Sequence, residues 1–182
     1  RSYSNNVGDV DGIQQIAFSA YDANNNLEAV SVTTSARSYS VNYTYDDFDR
    51  LDTASDSFGQ VLDYDYDANG NRTGLTAAQQ SISYHYDALN RVEKVILPLG
   101  ETDYDYYRNG LIERIDYANG LHASYLYDQA NRVTDIDHKD QDTRLTHYHY
   151  TYDANGNRDS MLETNGGQQQ STTYHYDRTD RL

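Results

Sequence analysis

Aromatic and polar positions alternate along most of this chain, and the alternation restarts at a near-constant interval. The cleanest stretch is Tyr64-Asp65-Tyr66-Asp67-Ala68-Asn69-Gly70-Asn71-Arg72. It holds two tyrosines one residue apart, an aspartate, a short polar run and an arginine. The pattern returns at Tyr43 to Arg50, Tyr84 to Arg91, Tyr125 to Arg132, Tyr150 to Arg158 and Tyr174 to Arg181, with degraded copies at Tyr21 to Leu27 and Tyr104 to Gly110. The second tyrosine falls at 21, 45, 66, 86, 106, 127, 152 and 176, in steps of 24, 21, 20, 20, 21, 25 and 24. A fixed period of this kind marks a repeat array. Alternation with a period of two predicts strands, and helical periodicity stands out nowhere.

Each copy reads as strand, tight turn, strand. Three positions past the aspartate, or past Tyr107 in the degraded copy, stand Asn25, Asp49, Gly70, Asn90, Gly110, Asn131, Gly156 and Asp180. These are the residue types that enter positive φ most readily. A three-residue hairpin loop needs that conformation at its last position. The aspartate can accept a hydrogen bond from the backbone two residues on and close the turn locally. In the incoming strand both tyrosines point to one face, so successive copies predict a tyrosine ladder. The arginine lies within reach of the aspartate or of a tyrosine face. The ladder is expected to dominate stability and the charge pair to set register.

A second turn separates the copies, as in Pro98-Leu99-Gly100-Glu101-Thr102, Ser57-Phe58-Gly59-Gln60, Ala118-Asn119-Gly120-Leu121 and Asn165-Gly166-Gly167-Gln168. Two turns per period give two strands per period. The expected architecture is therefore all-β, a continuous antiparallel meander forming one array over residues 1–182. Residues 1–16 are an irregular lead-in, with turn signals at Gly8-Asp9 and Asp11-Gly12, and residues 17–182 hold about eight repeats. Outgoing strands carry apolar residues three apart, Leu51 and Ala54, Val92 and Val95, Val133 and Ile136. That spacing does not fit a flat strand and calls for a bulge or strong twist. The longer periods predict loops at His138 to Thr146 and Gly166 to Thr172.

Composition changes the picture in two ways. The 182 residues carry 29 acidic and 14 basic side chains, a formal net charge of −15. That argues against nucleic acid and against an anionic membrane surface as partners, and no apolar run is long enough to span a bilayer. Leu, Ile, Val and Phe total only 32 residues, which with this charge resembles a disordered chain. The 20 tyrosines supply the missing apolar area. Without cysteine there is no disulfide framework and no thiolate metal site. The chain begins inside its pattern and ends just after an arginine, so it reads as an excised piece of a longer protein.

Tyr-Asp followed by Asn-Arg or Gly-Asn-Arg, with Pro98-Leu99-Gly100-Glu101-Thr102 leading into the next Tyr-x-Tyr, resembles the YD repeat, also called the RHS repeat. The resemblance covers about Tyr21 to Leu182. It implies a β-hairpin array that curves or spirals into a hollow shell. In bacterial toxin complexes and polymorphic RHS toxins such a shell encloses a toxic C-terminal region; in teneurins it serves cell adhesion. This sequence lacks the C-terminal core motif with its self-cleaving aspartates and lacks a variable toxin domain. The expected function is a structural, non-enzymatic wall segment of such a shell, from a secreted or cell-surface bacterial protein. Its partners would be the rest of its own longer chain and an enclosed toxin domain, with edge-to-edge self-association at open strands. The alternative is a cell-surface adhesion or carbohydrate-binding module. Tyr3, Tyr39, Tyr107, Tyr117 and Tyr148 fall outside the ladder and are the candidates to stack on sugars.

No catalytic, cofactor-binding or metal residue is assigned. Asp65-x-Asp67-x-Asn69-Gly70 imitates the start of an EF-hand loop, but its twelfth position is Thr76 and the equivalent copy begins with Thr151. It reads as a hairpin turn. His147-x-His149 places two imidazoles on one strand face, half of a metal site without a third ligand of diagnostic spacing. His85 and His175 sit between paired tyrosines and should face away from them. Carboxylates are abundant enough to pair by chance, and most belong to turns. Asn42-Tyr43-Thr44 and Asn71-Arg72-Thr73 match glycosylation acceptors inside repeat elements.

Overall fold

The computed structural model describes residues 2–3 and 12–177. The strands are β1 (Ser2–Tyr3), β2 (Ile13–Tyr21), β3 (Leu27–Thr34), β4 (Ser38–Tyr45), β5 (Leu51–Asp56), β6 (Val61–Tyr66), β7 (Arg72–Ala77), β8 (Gln80–Tyr86), β9 (Val92–Leu97), β10 (Gly100–Tyr106), β11 (Ile112–Asp116), β12 (Leu121–Tyr127), β13 (Val133–Asp140), β14 (Thr143–Tyr152), β15 (Arg158–Asn165) and β16 (Gln168–Thr173). The described residues contain no helix. The chain divides into two compact units, residues 1–85 and 86–182. In the first, each strand from β1 to β8 pairs antiparallel with the next. In the second, the same holds from β9 to β16. Each unit is a meander of hairpins, the all-β array that two turns per period predict. Strand β2 begins at Ile13, inside the stretch read as lead-in. The signals at Gly8-Asp9 and Asp11, the side chain of Tyr3, and the last turn with Asp180 and Arg181 lie outside the described residues.

The turns form as their residue types dictate. Asn25, Asp49, Gly70, Asn90, Gly110, Asn131 and Gly156 all take positive φ, from +59° to +92°. Each N–H donates to the carbonyl three residues back at 2.9–3.1 Å. In the copies that carry it, the aspartate Oδ1 accepts the N–H two residues on, as at Asn24, Phe48, Asn69, Leu89, Ala130 and Asn155.

A bulge explains the spacing of three. Tyr45 opposes Leu51 and Thr44 opposes Thr53, with Asp52 the extra residue. Leu51 and Ala54 therefore both fall on the tyrosine face. The shift recurs at Tyr66, Tyr106, Tyr127 and Tyr152. The longer periods are not loops. Strands β13 and β14 run on to Asp140 and Thr143, and β15 and β16 meet at Gly166-Gly167. The added residues find ladder partners, which satisfies their backbone groups better than a free loop would.

The core is thin. Tyrosines and aliphatic residues share one face of each meander, with Ala54, Ile115 and Ala123 buried there. No large side chain is fully buried among the described residues. The middle residues of Tyr-x-Tyr, including Thr44, Asp65, His85, Asp105, Thr151 and His175, are exposed on the opposite face, as predicted for His85 and His175.

Candidate functional site

What the sequence repeats is a joint between hairpins. At Asp46 the carboxylate accepts the Phe48 and Arg50 N–H groups through Oδ1 and the Arg50 Nε through Oδ2 at 2.7 Å. Arg50 then lies over the next copy's Tyr66, its Cζ 4.6 Å from the ring centroid, and its Nη1 donates to the Asp67 carbonyl at 3.0 Å. Arg91 covers Tyr106 at 4.2 Å and Arg132 covers Tyr152 at 4.5 Å in the same way. The tyrosine hydroxyls face back. Tyr45, Tyr66, Tyr106 and Tyr152 donate to the carbonyls of Leu27, Leu51, Val92 and Val133 at 2.6–3.0 Å. The expected ladder is thus mainly arginine over tyrosine, closed by phenol-to-backbone bonds. Direct tyrosine contacts occur at Tyr107–Tyr127, edge-on at 6.0 Å, and at Tyr148–Tyr150 within one strand.

The Gly-Asn-Arg copies differ by one position. Asn71, not Arg72, fills the place of Arg50; its N–H and Nδ2 bond Asp67 at 2.8 and 2.9 Å. Asn26 and Asn157 clamp Asp22 and Asp153 likewise. Arg72 lies over Tyr84 and bonds its hydroxyl, and Arg158 lies against both Tyr150 and Tyr174. Sequence reading aligned the arginines and missed this exchange, although the one-residue difference in turn length carries it.

The clamps hold the carboxyls of Asp22, Asp46, Asp67, Asp87, Asp128 and Asp153 below the usual carboxylate range. The side-chain bond from Asn26, Arg50 or Asn71 is the largest cause at Asp22, Asp46 and Asp67. At Asp87 and Asp128 it is the backbone bond from Arg91 and Arg132. At Asp153 burial pushes upward, and bonds from Asn157, Asn155 and Gly156 outweigh it. Burial pushes the Tyr45, Tyr106 and Tyr127 phenols up.

The single motifs fall as follows. Asp67 spends its oxygens on its own turn, while Asp65 stands on the opposite face, so the EF-hand-like string does not converge. His147 Nε2 and His149 Nδ1 both reach Asp135 Oδ1, at 3.0 and 2.9 Å. Burial pushes the Asp135 carboxyl upward, but bonds from His149, Thr134 and His147 prevail and hold it low. Other strand carboxylates meet cations: Glu101 and Asp103 meet Lys94, Asp116 meets Arg114, and Asp137 meets Arg144. The Asn71 amide is tied to Asp67, whereas Asn42 is exposed on β4. Of the sugar-stacking candidates, Tyr39 lies half-buried against Phe58, Tyr107 bonds the Tyr125 carbonyl and packs on Tyr127, and Tyr148 packs on His138 and Tyr150. Tyr117 is 37% exposed, with Phe48 at 78% and Phe58 at 63%.

A family model described as the teneurin YD-shell matches residues 9–119, more than half of the chain. A solved structure described as the Photorhabdus luminescens Tc holotoxin pore, with a mutation in TccC3, aligns over 93% of this chain and 11% of its own, at TM-score 0.75 and 17% identity. A crystal structure of TcdB2-TccC3-Cdc42 aligns over 92% of this chain and 12% of its own, at TM-score 0.61 and 14% identity. At these identities the likeness is one of fold, and the chain spans about a tenth of those proteins' length. No curated protein sequence matches it.

Proposed function

The chain belongs to the teneurin YD-shell family, a structural shell scaffold, and from that premise we propose that it is a wall segment of a hollow β-shell enclosing a toxic C-terminal cargo. The observation that supports this reading is the joint. Its arginine and tyrosine groups bind one hairpin to the next and its aspartate closes the turn, which suits a wall rather than a reaction centre. In this reading residues 1–182 act as one repeat array, without a reaction of their own. The protein is secreted and bacterial, and its partners are the rest of its own longer chain and the enclosed domain. The test is protease protection in the full-length protein. The region downstream of the repeats should resist protease until acid or denaturant opens the wall. Cleavage at the rate of the free downstream region would sink the proposal.

A surface module that binds glycans is the second reading, favoured by the exposed rings of Tyr117, Phe48 and Phe58. A glycan array with the purified chain separates the two, because retention lost in Tyr117→Ala would support the surface module.

A further inference from the structure

We propose that Asn165-Gly166 is a site of spontaneous covalent modification, where the asparagine amide converts to aspartate and isoaspartate with water as co-reactant. Five Asn-Gly pairs occur, at Asn69, Asn109, Asn119, Asn155 and Asn165. In such a pair the glycine amide nitrogen attacks the asparagine Cγ. The new C–N bond closes a succinimide as the Cγ–Nδ2 bond breaks, and ammonia leaves carrying the amide proton. Water then adds to either ring carbonyl and reopens it as a normal or a β-linked aspartate. Glycine is the favoured successor because no Cβ crowds the attack.

All five asparagines are exposed, so access does not separate them. The attacking nitrogen does. Gly70, Gly110, Gly120 and Gly156 each donate that N–H to the carbonyl three residues back, at 2.9–3.1 Å. Asn119 is further held because its Oδ1 accepts the Leu121 N–H at 3.2 Å. Gly166 instead reaches the Leu145 carbonyl at 3.3 Å, beyond the usual range for such a bond. Leu145 is itself the residue skipped by the β13–β14 ladder.

The Asn165 turn joins β15 to β16 through Gly166 and Gly167. The β-linked product adds a methylene to the main chain in the two-residue loop that sets the Asn165–Gln168 register, so β16 loosens once the site has reacted.

The experiment is timed peptide mapping by mass spectrometry of the full chain at mildly alkaline pH, folded and in concentrated urea. Asn165 should react several-fold faster than the other four in the folded protein, and the five rates should converge in urea. Another pair leading in the folded protein, or the same ranking in both states, would overturn the assignment. Hydrogen exchange on aged samples supplies a second arm. Strand β16 should lose protection with age in the wild type and keep it in Asn165→Gln; equal loss in both overturns the proposed consequence.

Discussion

Gly70 isolates the cost of a backbone conformation. Its φ is +87°, and a Cβ built there would meet nothing within 4 Å. Gly70→Val should therefore destabilise by about 1–2 kcal/mol through left-handed strain alone. Ala68→Val, two positions earlier in the same turn, should stay within about 0.5 kcal/mol. Equal melting-temperature shifts would remove the turn assignment. Tyr66 tests the other half of the joint. Its hydroxyl holds the Leu51 carbonyl at 3.0 Å, so Tyr66→Phe should cost about 1 kcal/mol. Tyr66→Ala, which also removes the ring beneath Arg50, should cost roughly 2–3 kcal/mol. His85→Ala, on the exposed face, should lie within about 0.5 kcal/mol of wild type. Denaturant midpoints of the three Tyr66 and His85 variants rank them directly, and a neutral Tyr66→Phe would show that the phenol bond adds no stability.

The aspartate-clamped turns are small electrostatic devices. Asp22, Asp46, Asp67, Asp87, Asp128 and Asp153 all have carboxyls lowered in the folded chain. A lowered folded value means that the unfolded chain binds protons first as pH drops. The stabilisation is complete above the ordinary aspartate value of 3.8 and is lost as pH falls below it through the lowered folded values. Thermal melts should therefore lose melting temperature mainly below that pH. Asp46→Asn should flatten the slope, and an unchanged slope in that variant would disprove the link. The clamp residue has its own test. Arg50 forks onto Asp46 while covering Tyr66. Lysine keeps the charge but not the planar fork, so Arg50→Lys should lower the melting temperature, whereas a Lys variant as stable as wild type would reduce the joint to simple charge pairing.

In each unit, apolar area is spread along one face instead of gathered into a deep core. Ala123 is fully buried, with Ile115 beside it on the neighbouring strand. Within residues 86–182 of the isolated chain, amide hydrogen exchange should be slowest in β11 to β13 and fastest in β16, because among the described residues β16 has one paired neighbour and can peel away without disturbing a second ladder. Uniform protection across β11 to β16 in a strict monomer would mean that something pairs the β16 edge. Self-association at that edge would show as β16 protection rising with protein concentration.

The repeat, its turn and the faces of the incoming Tyr-x-Tyr strands were legible in the sequence because each rests on local rules, whereas the faces of the outgoing strands waited for the register. A period of two sets the faces, and positive φ selects Gly, Asn or Asp three residues past Asp46 or Asp67. The apolar spacing from Leu51 to Ala54 called for a bulge or a strong twist, and the register decided for the bulge. The partners across the joint were not legible. Whether Arg50 or Asn71 clamps the aspartate, which ring Arg72 covers, and that Tyr66 reaches the Leu51 carbonyl all depend on how one hairpin registers against the next. The same holds for the two long periods, read as loops and found as strand. A run such as His138 to Thr146 becomes strand only when neighbouring strands offer its backbone a ladder, and that offer is made in space, not along the chain.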